Sequence, residues 1–86
     1  MARLEIEITR SAEKHLRALD RVEQQRLAKA MLALAEEPRP RGSRKLSGYK
    51  DVFRVRVGSY RILYSVEQGR LVILILKIGH RRDVYR

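Results

Sequence analysis

The dipeptide Gly58-Ser59 is flanked on both sides by residues that alternate in polarity, and this constrains the fold more than any other feature of the chain. A two-residue loop with glycine in its first position fits a type II′ hairpin, whose twist matches that of the strands it joins. The reversal pairs Val57 with Tyr60, Arg56 with Arg61 and Arg54 with Leu63. Side chains on a strand alternate between faces. Phe53, Val55, Val57, Tyr60, Ile62 and Tyr64 therefore share one face, suited to packing under other elements. Arg54, Arg56 and Arg61 share the other. Alternate residues lie about 7 Å apart along a strand, and directly opposed ones about 5 Å apart, so three guanidinium groups occupy one small patch. Like charges opposed across strands destabilise a sheet, and no carboxylate falls beside them in this register. A bound anion is the simplest reason to keep them, because the planar guanidinium fork matches phosphate oxygens. The plain alternative is three solvated arginines, or arginines paired with Glu or Asp from helices.

The remaining elements follow from periodicity. Leu4, Ile6 and Ile8 alternate with polar residues and predict a half-buried first strand. Thr9 or Ser11 can cap a short helix whose apolar positions are Ala12, Leu16 and Leu19. Asp20 with Glu23 opens a second helix as a capping pair. Its apolar side runs through Leu27, Ala30, Met31 and Leu34, and it ends at Glu37, since the residue before proline avoids helical geometry. Helices joined this tightly form an antiparallel hairpin. Residues 39–50 read as a basic loop rich in Pro, Gly and Ser. A meander of three strands follows, Val52–Val57, Tyr60–Glu67 and residues 71–78, with a second turn at Gln68-Gly69. The last strand is apolar on both faces, which predicts a central position with the first strand beside it. An up-down count makes those two antiparallel. The expected fold is α+β, a single domain over residues 1–86 in the order β-α-α-β-β-β. Its helix pair covers one face of a four-stranded antiparallel sheet.

Charge narrows the function. The 86 residues carry a net charge of +10. Residues 1–37 hold seven basic and seven acidic side chains, whereas residues 38–86 hold thirteen basic and three acidic. All the excess sits in the second half. Concentrated positive charge recruits polyanions, with nucleic acid foremost. A membrane partner is not expected, because no amphipathic basic helix accompanies the charge. The longest apolar run is residues 71–76, far short of the roughly 20 residues that span a bilayer as a helix. Residues 1–10 have no apolar stretch of signal-peptide type. The chain has no cysteine, which suits a reducing cytoplasm. Two distant histidines give no zinc pattern. The basic half has only Asp51, Glu67 and Asp83, too few and too scattered for two-metal hydrolysis. No metal or cofactor is expected.

The C-terminal stretch adds Gly79-His80-Arg81-Arg82-Asp83-Val84-Tyr85-Arg86, leaving the end of the central strand, from which it can reach the arginine face. Neighbouring positive charge favours neutral His80, a form able to accept a proton. Tyr85 either acts on that face or closes the edge of the core. His15, in the first helix, reads as ordinary surface.

Three segments together carry a family likeness: Lys45-Leu46-x-Gly48, Phe53-Arg54-Val55-Arg56-Val57-Gly58-Ser59-Tyr60-Arg61-Ile62-x-Tyr64, and Gly79-His80-Arg81-Arg82-Asp83-Val84-Tyr85. With the strand, the helix pair and the Glu37-Pro38 helix end, the chain resembles the RelE/ParE toxin superfamily over nearly its whole length. The resemblance, read toward the RelE-type branch, implies a toxin that enters the ribosomal A site, contacts ribosomal RNA and cuts mRNA without a metal. The ribose 2′-OH attacks the adjacent phosphate, leaving a 2′,3′-cyclic phosphate and a 5′-OH. It further implies a cognate antitoxin as partner and a site at Arg54, Arg56, Arg61, Arg81 and Tyr85. Arg61 is the expected oxyanion clamp. Arg81 is expected at the leaving oxygen, and Tyr85 stacks on a base or orients the 2′-OH. Arg54 and Arg56 hold the RNA backbone, extended by Arg44, Lys45, Lys50 and Arg82. Some relatives have lysines where Arg54 and Arg56 stand. Arginine is a poor general base, so either catalysis is mostly electrostatic or His80 or Tyr85 moves the proton. Two other functions suit the same scaffold: a ParE-type inhibitor of DNA gyrase, and an RNA-binding module without chemistry.

Overall fold

Both helices start where side chains can satisfy their first free N–H groups. In the computed structural model, which describes residues 3–67 and 69–80, the hydroxyl of Thr9 accepts from the Ala12 N–H at 3.1 Å and opens α1 (Arg10–Ala18). The Asp20 carboxylate accepts from the Glu23 N–H at 2.9 Å and opens α2 (Arg21–Glu36). Glu23 in turn lies 3.5 Å from Arg26. Glu37, before Pro38, ends α2 in extended geometry.

Before the helices comes β1 (Glu5–Ile8), and after them β2 (Arg44–Lys45), β3 (Val52–Val57), β4 (Tyr60–Glu67) and β5 (Val72–His80). They form one sheet in the order β1-β5-β4-β3-β2. The β3–β4 pairing is the expected one, with Val57 opposite Tyr60, Arg56 opposite Arg61 and Arg54 opposite Leu63. Gly58 has φ +62°, while Ser59 stays out of the left-handed region, as a type II′ turn requires.

The sheet departs from expectation in three ways. It has five strands rather than four, because part of the basic loop pairs with β3 as β2. A reversal through Gly48, at φ +85°, makes that hairpin possible. Second, β1 and β5 are parallel, not antiparallel. The two corrections have one cause: inserting the β2–β3 reversal into the up-down count changes its parity. Third, β5 runs two residues further than expected, through His80, and starts one later, Leu71 being left-handed at φ +57°.

A register shift interrupts the β4–β5 ladder. Leu63 faces Lys77, but Tyr64 faces Ile75, leaving Leu76 as an extra residue. Such a bulge leaves a backbone group without its ladder partner. Thr9 supplies one: its hydroxyl donates to the Leu76 carbonyl at 2.8 Å, and its N–H donates to the Ile75 carbonyl at 3.0 Å. Thr9 thus caps α1 and ties off the bulge together.

The core lies between the helices and one sheet face. Ala12, Leu27, Met31 and Leu34 meet Phe53, Ile62, Tyr64, Val66, Ile73, Ile75 and Ile78, with Val55, Val57 and Tyr60 packed against them. Full burial contributes about 1.5–3 kcal/mol for each large apolar side chain. One polar group enters this layer. The Tyr64 hydroxyl donates to the Pro38 carbonyl at 2.7 Å, fastening the segment after α2 to the sheet. Burial pushes the Tyr64 phenol above its ordinary value of 10.0, against the opposing effects of a Ser43 hydrogen bond and the Arg39 charge.

Two outcomes follow. Thr9→Val keeps the shape but removes both the cap and the bulge's partner. It should cost about 2 kcal/mol or more, seen as a lower denaturation midpoint with unchanged m-value. Tyr64→Phe should cost about 1 kcal/mol at neutral pH, and that difference should shrink above pH 10. The native phenol holds its proton longer than the unfolded one, so wild-type stability falls as pH rises from 10 through the raised native value. The Phe variant lacks this loss. A difference between the two proteins that stays constant through the alkaline range would refute the assignment.

Candidate nucleic-acid interface

The sheet face away from the helices collects the arginines. Parity places Arg54, Arg56 and Arg61 there, and β2 adds Arg44, which pairs directly with Arg54. Together with Gly42 these four side chains line an open basin of about 350 Å³. The sequence alone shows Arg44 as a loop cation. Its place in the patch comes from a two-residue strand, and the signal for that strand is slight: a glycine reversal followed by an alternating run. Gly42, with φ +94°, was missed altogether.

The basin's outer wall depends on the core. Tyr64 holds Pro38 and stacks on Phe53 with ring centres 5.8 Å apart. Arg39 lies over the Phe53 ring, 5.7 Å from its centre. These contacts fasten residues 38–43, the segment that delivers Gly42 and Arg44 to the arginine face.

Among the described residues, several carboxylates are engaged away from the basin. Glu13, Glu23 and Glu36 of the helices pair with Arg17, Arg26 and Arg3. On the sheet, Glu7 and Glu67 share Arg70 at 3.2 and 2.9 Å, and both charges hold the Arg70 guanidinium further toward its protonated form. Glu67 is six positions along β4 from Arg61, about 20 Å for an extended strand. The face is therefore cationic at its hairpin end and acidic at the other.

Several expected site residues fall away from the basin. Lys45 pairs with Phe53 and so points toward the core side of the edge. Lys50 lines a separate depression with Arg39, Asp51, Ser65 and Glu67, where two carboxylates offset the cations. His80 does not join the arginines. The continued strand sets it opposite Tyr60, and its ring meets the Tyr60 ring edge-on at 5.9 Å, on the helix side. The position opposite Arg61 is Gly79. Arg81, Arg82 and Tyr85 lie outside the described residues. His15 is exposed on α1, as expected.

Among the described residues, no group of three or more His, Asp or Glu is placed to hold a metal ion, and no helix is long and apolar enough to cross a membrane. What the basin offers is a fixed array of guanidinium donors. They can bind successive phosphates and stabilise added negative charge on one of them.

Comparison with known proteins agrees with this architecture. The family model for the ParE toxin of the type II toxin–antitoxin system parDE matches residues 6–85. A RelE-like toxin protein of Escherichia coli is 31% identical over 96% of this chain and 90% of its own length. Toxin RelG of Mycobacterium tuberculosis is 40% identical over a shorter match, 50% of this chain and 46% of that protein. The archaeal RelE in its complex with RelB from Pyrococcus horikoshii superposes with a TM-score of 0.83. It shares 32% identity and covers 96% of this chain and 100% of its own. By sequence and by fold, the chain belongs to the RelE/ParE superfamily of type II toxin–antitoxin toxins.

Proposed function

We propose that this protein is an mRNA endoribonuclease acting at the ribosomal A site, the toxic partner of a type II pair. The observation that carries the reading is the basin of Arg44, Arg54, Arg56 and Arg61 on the sheet face away from the helices. Cleavage by 2′-OH attack passes through a phosphorane with added negative charge. Cations fixed in advance stabilise that state more than the substrate. Arg61, directly opposite Arg56, is the clamp on the non-bridging oxygens. Arg44, Arg54 and Arg56 hold the flanking backbone, and Arg81 and Tyr85 complete the site at the leaving oxygen and the base. His80 meets Tyr60 edge-on, on the other face from the arginines, so it is not assigned the proton transfer. Arginine stays protonated throughout, and the chemistry rests chiefly on electrostatics. This is a cytoplasmic function, because translating ribosomes are there, and ribosomal RNA is the second polyanion in contact.

The partner is a cognate antitoxin. The Pyrococcus relative was solved as a RelE–RelB complex, and a chain of net charge +10 favours an inhibitor with acidic or amphipathic segments. Such binding weakens with salt at its rim.

A second reading has its own support. The matching family model is that of the ParE toxin, and a ParE-type chain would inhibit DNA gyrase from the same scaffold. The first process to stop after induction separates the two. Under the ribonuclease reading, Arg61→Ala should lower cleavage about 10²–10³-fold and relieve growth arrest with the fold retained. Arg54→Ala should chiefly weaken RNA binding. Primer extension on translated messages reads the new 5′ ends. DNA breaks with intact messages would transfer the assignment to gyrase, and full toxicity of both Arg61→Ala and Arg81→Ala would remove the site.

A further inference from the structure

The bulge in β5 changes which side chains reach the arginine face. Along β5, Ile73 and Ile75 point into the core and are fully buried. Regular alternation would then send Lys77 inward beside them and His80 outward. An unpaired ammonium buried among isoleucines would be severely penalised. The extra residue Leu76 reverses the order. Leu76 and Lys77 are both only half-buried, and Ile78 returns to the core. Lys77 then pairs with Leu63, whose neighbour on the far side is Arg54. One step along, Arg61 pairs with Gly79, so Lys77 and Arg61 are diagonal neighbours on one face. Diagonal positions lie about 7–8 Å apart, within reach of long side chains. The bulge is not a loose irregularity, since Thr9 clamps the backbone on both Ile75 and Leu76. Bulges of this kind often re-aim a side chain next to a functional site.

We propose that Lys77 is a further RNA-binding residue, a cation that contacts the same stretch of phosphate backbone as Arg54 and Arg61. The three charges surround Leu63, a half-buried apolar floor on the exposed side of the sheet. A phosphodiester lying over that floor meets guanidinium groups from β3 and β4 and the ammonium from β5. Lys77 thereby widens the basin from β2, β3 and β4 to β5. The inference rests on the RNA-binding reading of the arginine face.

The test is the affinity of the intact protein for a short labelled single-stranded RNA, followed by fluorescence anisotropy across a salt series. Lys77→Met and Lys77→Gln should both weaken binding and lower the slope of log affinity against log salt by about 0.7, the value of one phosphate contact on a single strand. Lys77→Arg should restore wild-type affinity. Lys14→Met, which removes an exposed cation from α1, should change neither quantity. Unfolding midpoints of all variants identify any loss due to misfolding, and using two neutral substitutions keeps the test open if one of them fails to fold. Wild-type affinity in the neutral Lys77 variants, with Arg54→Ala impaired, would overturn the role of Lys77 and leave the arginine face standing. Unchanged affinity in Arg54→Ala and the Lys77 variants alike would overturn both. Failure of a well-folded Lys77→Arg to recover binding would show that the charge is not what acts.

Discussion

A residue on a β-strand has one choice of face, and the Gly58-Ser59 reversal makes that choice jointly for Arg54, Arg56 and Arg61. Sliding β3 by one residue against β4 would turn Phe53 and Val55 to solvent and Arg54 and Arg56 into the core. Register is therefore held by the burial of the apolar set and by the turn together. The same constraint that gives the sheet a core concentrates charge on its other side. Arginine face and core are two readings of one alternation.

That alternation is then edited at two places, each fastened by a hydrogen bond from a residue with another task. At the β4–β5 bulge, Thr9 caps α1 and takes the free Leu76 carbonyl. At the outer edge, Tyr64 fills the core and ties down Pro38 ahead of Gly42 and Arg44. A chain of 86 residues without cysteine has a small core and no covalent staple, so its site geometry relies on such shared contacts. Arg70 works in the same way at the far end, joining Glu67 to Glu7 across the sheet. It also keeps those carboxylates engaged away from the arginines.

What was legible in the sequence was local. The hairpin register, both helix caps and the apolar face depend on neighbours a few residues away, and each stands as expected. Arg44–Lys45 was not legible as a strand, because two exposed residues carry no period and pair only through hydrogen bonds to β3. Missing that strand reversed the expected direction of β1 against β5. His80 was misplaced for the opposite reason: periodicity was present but broken. Lys77 held the clue. A lone charge in residues 71–78, a strand apolar on both faces, either sits in the core or marks a bulge, and the physics of burial rejects the first. One inserted residue therefore exchanged His80 for Lys77 on the arginine side.

The electrostatics of that face select the kind of ligand it accepts. Two unit charges about 7 Å apart in water repel by roughly 0.6 kcal/mol, and four arginines make several such pairs. The sum is reduced by screening over a Debye length of about 8 Å. A single small anion relieves only the pair it touches. A backbone with phosphates at regular intervals relieves the whole array and binds with a correspondingly steep salt dependence. An acidic protein segment laid over the basin would do the same. On the proposed reading, a segment that neutralised these cations would compete with RNA directly, with no conformational change needed in the toxin.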